Sequence, residues 1–270
     1  MSVLENFHYQ VVGDECSHKL VFLHGLMGSL SNWRKIINSF KDDHQVLIYD
    51  QRGHGRSQHP RLGYQPEDFA RDLKEILDEL RWEKIQLVGH SMGGRNALVF
   101  ADLFPRRITH LVLEDISPEA DEKAVQRIEF LLGLVPIPFA NKAEAKKFFE
   151  VEFPSKLKGV ESAQVLSNYF YTNIELKPDG TAGWRFSLPG ILESLRSGRE
   201  RDRWQELKNL QMPTLLVRGG ESKDLTSAVF EKMLSCNPHI QGVEIPHAGH
   251  WVHFDQSEAF VKALKDFLGG

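Results

Sequence analysis

Cysteine is scarce. The 270 residues carry two, Cys16 and Cys236. Two thiols so far apart make no disulfide framework, and no Cys/His grouping has zinc-ligand spacing, so the expectation is two reduced thiols and no metal. A surplus of one charge is also missing. The formal net charge is −4, which leaves no global field to hold nucleic acid or anionic lipid. The one basic run, Arg196 to Arg203, is interrupted by Glu200 and Asp202 and reads as a solvated helix face. No uninterrupted apolar stretch is long enough to span a bilayer. Met1 to Lys19 carries Glu5, Asp14, Glu15 and Lys19 without an apolar run, so no secretory signal is expected and the default location is cytoplasmic. Repeats and low-complexity segments are lacking too. What remains is ordinary globular composition, 41% hydrophobic and 26% charged, in a chain long enough for one large domain or a core with an insertion.

Short apolar runs recur along the chain: KLVFLH (19–24), QVLIYD (45–50), IQLVG (85–89), THLVLED (109–115), TLLVRG (214–219) and GVEIP (242–246). Each has strand length, and near-continuous apolar character implies burial on both faces of a parallel sheet. Helix-period segments lie between several of them. Phe69, Leu73, Ile76, Leu77 and Leu80 form one stripe, and 95–104 and 257–268 read similarly. This alternation predicts a doubly wound α/β sheet. It stops after Ile116. Residues 118–204 read as helical and irregular, rich in aromatics and proline, between core parts 1–117 and 205–270. An insertion there sits where a cap over the carboxyl ends of the strands would sit. A second small structural domain is the alternative.

Three glycine-rich turns follow strands. Gly89-His90-Ser91-Met92-Gly93 fits G-x-S-x-G, between a predicted strand and a predicted helix. Small residues two before and two after Ser91 let strand and helix backbones approach, lifting the hydroxyl above the sheet edge. The Met92 N–H then faces a developing oxyanion. His24-Gly25-Leu26-Met27-Gly28 follows the first strong strand, and Asp50-Gln51-Arg52-Gly53-His54-Gly55-Arg56-Ser57 follows the second. Near the C-terminus stands His247-Ala248-Gly249-His250-Trp251. A serine hydroxyl needs a base that titrates near neutrality, and histidine supplies one.

These motifs together resemble the α/β-hydrolase superfamily, over nearly the whole chain outside the insertion. The resemblance implies a mostly parallel sheet flanked by helices, with a helical cap inserted after the sixth strand. It makes Ser91 the nucleophile, His250 the base in preference to His247, and the Leu26 and Met92 N–H groups the oxyanion donors. Asp50, Arg52 and His54 become structural. At the usual acid position, Gly219-Gly220-Glu221-Ser222, the sequence departs from the family pattern G-x-x-D: Ser222 stands there, with Asp224 two residues on. Asp115, ending the strand LVLED, is the other candidate. Asp-Ile-Ser-Pro at 115–118 and Gly-Gly-Glu-Ser at 219–222 resemble the YbfF-like esterase branch. That likeness groups Ser91, Asp115, Ser222 and His250 together. The alternative keeps Asp224 as the acid and leaves Asp115 a capping role.

The expected reaction is two-step acyl transfer to water without cofactor or metal. The expected substrate is a small carboxylic ester, or an acyl thioester. Among Phe130, Phe139, Phe148, Phe149, Phe153, Tyr169, Phe170, Tyr171, Trp184 and Phe186, some would form the cap's own core and a fraction would line an acyl pocket. Lys142, Lys146, Lys147, Arg185, Arg196 and Arg199 read first as surface charge and second as contacts for an acyl-CoA phosphate. Rival readings are a C–C bond hydrolase or menaquinone-pathway-like lyase on the same fold, and a non-catalytic small-ligand receptor or scaffold. Fold does not choose among them. Monomer and dimer stay open.

Overall fold

The computed structural model describes residues 2–14, 18–157 and 163–269. Cys16 lies outside them; Cys236 is a free, half-buried thiol whose pKa burial pushes up. The chain forms β1 (Tyr9–Val12), β2 (Lys19–Leu23), β3 (Gln45–Tyr49), β4 (Ile85–His90) and β5 (Ile108–Glu114). A small antiparallel pair follows, β6 (Ile174–Leu176) and β7 (Ala182–Trp184), then β8 (Thr214–Gly219) and β9 (Ile240–Ile245). Among the described residues the main sheet has the order β1-β3-β2-β4-β5-β8-β9. Every pairing is parallel except that of β1 with β3. Strand order reverses between β2 and β4, so their carboxyl ends open onto a crevice at the switch point.

Strand side chains alternate between two apolar layers. Val21, Leu23, Leu87, Leu111 and Leu113 face α1 (Pro66–Glu79) and α2 (Met92–Leu103). Leu20, Phe22, Val88, Val112 and Val217 face Trp33, Phe260 and Leu264. Burial on both sides is why these strands read as continuous apolar runs. Helix α1 starts at Pro66, a residue whose missing N–H costs nothing in a first turn.

Residues between β5 and β8 include α3 (Glu122–Gly133), α4 (Ala163–Thr172) and α5 (Leu188–Arg199), together with the β6–β7 pair. The insertion follows β5, the fifth strand among the described residues, where the resemblance implied a sixth. Phe139, Phe148, Phe149, Phe153, Phe170, Trp184 and Phe186 are buried in one cluster, which also takes in Leu26, Met27 and Met92 from the core. Phe130 is instead 61% exposed. The solvated basic face expected over Arg196–Arg203 is not found at two positions: Arg199 and Arg203 are 9% and 2% exposed. The two ends of the insertion meet there. Asp121 N–H donates to the Arg199 carbonyl at 3.2 Å and Arg203 N–H to the Pro118 carbonyl at 2.7 Å, and this crossing covers both side chains. No helix among the described residues is long and apolar enough to cross a membrane.

Phe153 is fully buried among Phe148, Phe149 and Phe170. Phe153→Ala should lower the unfolding free energy by about 3–5 kcal/mol in urea titration. A loss below about 1 kcal/mol would mean that the aromatic cluster is loosely packed in solution.

Candidate active site

Helix α2 begins at Met92, directly after the last residue of β4 plus one. Ser91 occupies that single position with φ 53° and ψ −117°, a region that costs a non-glycine residue about 1–3 kcal/mol. The surroundings hold it there. Its N–H donates to the Glu114 carbonyl at 3.1 Å and its carbonyl accepts from Arg95 N–H at 3.0 Å. A Cβ at Gly89 would run into the Gly93 carbonyl, and one at Gly93 into the Leu23 carbonyl. Only glycine lets β2, β4 and α2 approach this closely.

Four of the sequence-derived residues form one hydrogen-bonded chain. His250 Nε2 lies 3.0 Å from Ser91 Oγ, and His250 Nδ1 lies 2.8 Å from Asp115 Oδ2. Ser222 Oγ donates to the same Asp115 oxygen at 2.6 Å, and Gly219 N–H donates to Asp115 Oδ1 at 3.2 Å. The Ser222 hydroxyl accepts in turn from the N–H groups of Asp224 and Leu225. Asp115 has φ 49°, and its N–H bonds the Val217 carbonyl at 2.8 Å. This turn aims the carboxylate across the end of β8. Asp224 stands farther off, 3.8 Å from His250 Nδ1 and 3.7 Å from Arg127, with 28% of its side chain exposed. His247 points into solvent, 83% exposed and 3.5 Å from Glu221.

Burial alone would lower the His250 pKa. The hydrogen bond to Asp115 and the charges of Asp224 and Asp115 outweigh burial and Arg199, and hold the imidazole above its ordinary 6.5.

The Leu26 and Met92 N–H groups have no protein acceptor among the described residues. The loop carrying Leu26 is braced by two buried neutral histidines. His24 Nε2 accepts from Gln51 N–H at 3.0 Å, so its Nδ1–H donates to the Gly25 carbonyl at 2.8 Å. His54 Nε2 accepts from Met27 N–H at 3.2 Å while Nδ1–H donates to the Arg52 carbonyl. Burial lowers His24 to about 4 and His54 to about 3, which keeps both rings neutral, while these hydrogen bonds set the tautomers. Asp50 accepts from the N–H groups of Leu30 and Arg56, and Arg52 forks onto Asp72 of α1. From α4, the Tyr169 hydroxyl donates to the Leu26 carbonyl at 2.8 Å, and its ring packs 5.3 Å from that of Trp251. The insertion therefore touches both the Leu26 loop and the residue after His250.

Comparison with known proteins identifies the family. A family model described as alpha/beta hydrolase fold matches residues 19–257. The chain belongs to the alpha/beta hydrolase family. It is 30% identical to the sn-1-specific diacylglycerol lipase ABHD11 of Mus musculus, over 95% of this chain and 82% of the relative. It is 27% identical to esterase YbfF of Escherichia coli (strain K12), over 92% of each. A solved marine microorganism esterase matches with TM-score 0.83 and 28% identity, over 97% of this chain and 99% of that one. This alpha/beta hydrolase thus has esterase- and lipase-named relatives along almost its whole length.

Sequence reasoning missed a second buried layer beneath the site. His90, Glu114 and His253 lie together, their ligand-type atoms within 4.8 Å of one another. Their bonds are largely spent internally. His253 Nδ1 meets both Glu114 oxygens at 2.8 and 3.0 Å, and His253 N–H donates to Oε1. His90, kept neutral by burial and by His250 and His253, donates from Nε2 to the His250 carbonyl at 2.9 Å. The arrangement serves as a brace for the His250 backbone, not as an open set of metal ligands. A sequence signal existed for two members, since His90 adjoins Ser91 and Glu114 adjoins Asp115. Arg218, which holds the Ser222 turn through the Leu225 carbonyl at 2.8 Å, carried no such signal.

In NMR titration the His250 ring should show a midpoint above 6.5. Asp224→Asn should lower it, and Asp115→Asn should lower it further, because each removes negative charge beside the imidazolium. A wild-type midpoint below 6.5 would contradict this charge balance.

Proposed function

We propose that this hydrolase cleaves carboxylic esters through an acyl-enzyme on Ser91, with acyl thioesters as a second substrate class. The observation that carries the reading is the unbroken chain Ser222–Asp115–His250–Ser91. In this mechanism His250 Nε2 takes the Ser91 proton as Oγ attacks the acyl carbonyl. Asp115 fixes the Nδ1–H tautomer and stabilises the imidazolium. The protonated His250 then gives its proton to the leaving alcohol or thiol. Water, deprotonated by the same imidazole, hydrolyses the acyl-enzyme. The Leu26 and Met92 N–H groups receive the oxyanion at both tetrahedral stages. Ser222 acts as a positioning residue: it donates to Asp115 and leaves the carboxylate free to hold its charge while facing His250.

Residues 118–204 act in this reading as a cap on the core formed by 1–117 and 205–270. Support comes from the apolar cluster in which Leu26, Met27 and Met92 join the insertion's aromatics. An acyl chain leaving the carbonyl meets that apolar wall.

The test is hydrolysis of a p-nitrophenyl ester series. Ser91→Ala and Asp115→Asn should each lower kcat by about 10⁴-fold or more. Asp224→Asn, at a partly exposed and loosely paired carboxylate, should change it by less than about fivefold. A collapse on Asp224→Asn with activity kept in Asp115→Asn would move the acid to Asp224. Wild-type rates no better than Ser91→Ala on every ester would bring the lyase and receptor readings forward.

A further inference from the structure

Two arginines beside the site are buried without a counterion. Arg95 lies one helical turn after Ser91 on α2 and is 6% exposed. Arg199 ends α5 and is 9% exposed. Arg95 Nη1 donates to the Gly198 carbonyl at 3.2 Å; Arg199 Nε is buried with no partner. Among the described residues neither guanidinium forms an ion pair. Arg203 differs: it is buried too but pairs with Glu206 at 3.1 Å. A buried charge is costly unless paired, and proteins keep such charges chiefly where function uses them.

The nearby carboxylates are engaged elsewhere. Asp121 caps α3 through Ala124 N–H at 2.9 Å. Asp224 divides its oxygens between Arg127 and His250. Their charges reach Arg95 and Arg199 without contact, while burial and mutual repulsion with Arg199 and Arg203 push the Arg95 pKa well down. Arg199 in turn opposes protonation of His250. The two guanidinium groups therefore share the electrostatic neighbourhood of Asp224 and His250. Sequence reading had placed Arg199 on the surface; its burial is what gives it meaning here.

We infer that Arg95 and Arg199 form an anion subsite of the active site, and that the preferred substrate is an ester bearing a free carboxylate. The inference rests on the esterase reading for the word ester, and on the two arginines alone for the carboxylate. The planar forks of two guanidinium groups match a carboxylate's two oxygens, and a bound carboxylate supplies the counterion that the fold omits. The subsite makes the hydrolase selective for a half-ester of a dicarboxylic acid over a neutral ester of equal length.

The experiment has two arms. The first compares kcat/KM for p-nitrophenyl hydrogen glutarate and p-nitrophenyl pentanoate. Wild type should favour the anionic ester by at least about tenfold, and the ratio should fall toward unity in Arg95→Met and in Arg199→Met. The second arm measures glutarate binding to Ser91→Ala by calorimetry, which needs no turnover. Adding either arginine substitution should weaken binding by at least about tenfold. Removing an uncompensated buried cation should also leave Tm unchanged or raised. Absence of both preference and glutarate binding in proteins with the two arginines intact would overturn the inference, and so would a ratio that survives both substitutions. A lowered Tm with an unchanged ratio would make Arg95 a brace for α5 and overturn it as well. Arginine-dependent glutarate binding without cleavage of any ester would uphold the subsite while the esterase reading fails. Cleavage of both esters at equal rates, without glutarate binding, would do the reverse.

Discussion

The carboxylate of Asp115 is the point on which the site depends. It is almost fully buried and, among the described residues, forms no ion pair with a lysine or arginine. Its charge is held by donors alone: Gly219 N–H, Ser222 Oγ–H and His250 Nδ1–H. Each comes from a different place in the chain, and each must arrive for the charge to be tolerated. The sheet makes that possible. β5 and β8 are in parallel register, Glu114 opposite Val217, so the residue after β5 faces the turn after β8. The positive φ of Asp115 turns its side chain across that gap. Misplacing any one of these segments leaves a buried anion under-solvated, which couples the shape of the site to the stability of the fold.

The insertion is tied into the same system at two places. At its base, Asp121 and Arg203 bond the backbone of the opposite end. Above the site, Tyr169 links α4 to the Leu26 carbonyl. The Leu26 loop is thus held by His24 and His54 from the core and by Tyr169 from the insertion. Both histidines act through neutral rings, and burial is what keeps them neutral. The geometry of the Leu26 N–H is therefore set jointly by elements far apart in sequence, without any of them contacting the reacting atoms.

Much of this was legible in the sequence because parallel, two-sided strands leave an unambiguous apolar record, and because Ser91 and His250 sit in turns whose glycines have a steric purpose. The edge strand β1 left little record, since Tyr9 and Gln10 are exposed and its run is short. The three-residue strands β6 and β7 are too brief for a period-2 pattern. Helix α2 begins three residues before the expected 95–104 segment: Gly93 and Gly94 are poor helix formers, kept there by close backbone approach. Burial of Arg199 and Arg203 was not legible at all, because it arises from a tertiary crossing and not from local pattern. The resemblance gave His54 a structural role, but the partners of His24 and His54, 27 residues away, left no local signal.

The choice between Asp115 and Asp224 shows where sequence stops and geometry begins. Spacing along the chain permits either. Register permits both as well, because adjacent parallel strands β5 and β8 end side by side and a carboxylate after either can address one imidazole; the distances separate them, 2.8 Å from His250 Nδ1 for Asp115 against 3.8 Å for Asp224. With serine at position 222, the turn after β8 contributes a donor where an acid would have contributed charge. That donor has a use only if an anion stands opposite, and Asp115 is that anion. Asp224 then becomes a second negative charge at 3.8 Å, able to raise the imidazole's basicity without fixing its orientation. Arg199 acts in the opposite sense. The basicity of His250 is accordingly set by a balance of one bonded carboxylate, one unbonded carboxylate and one buried cation. Any anion that settles on that cation would shift the balance toward a more basic imidazole at the moment substrate is bound.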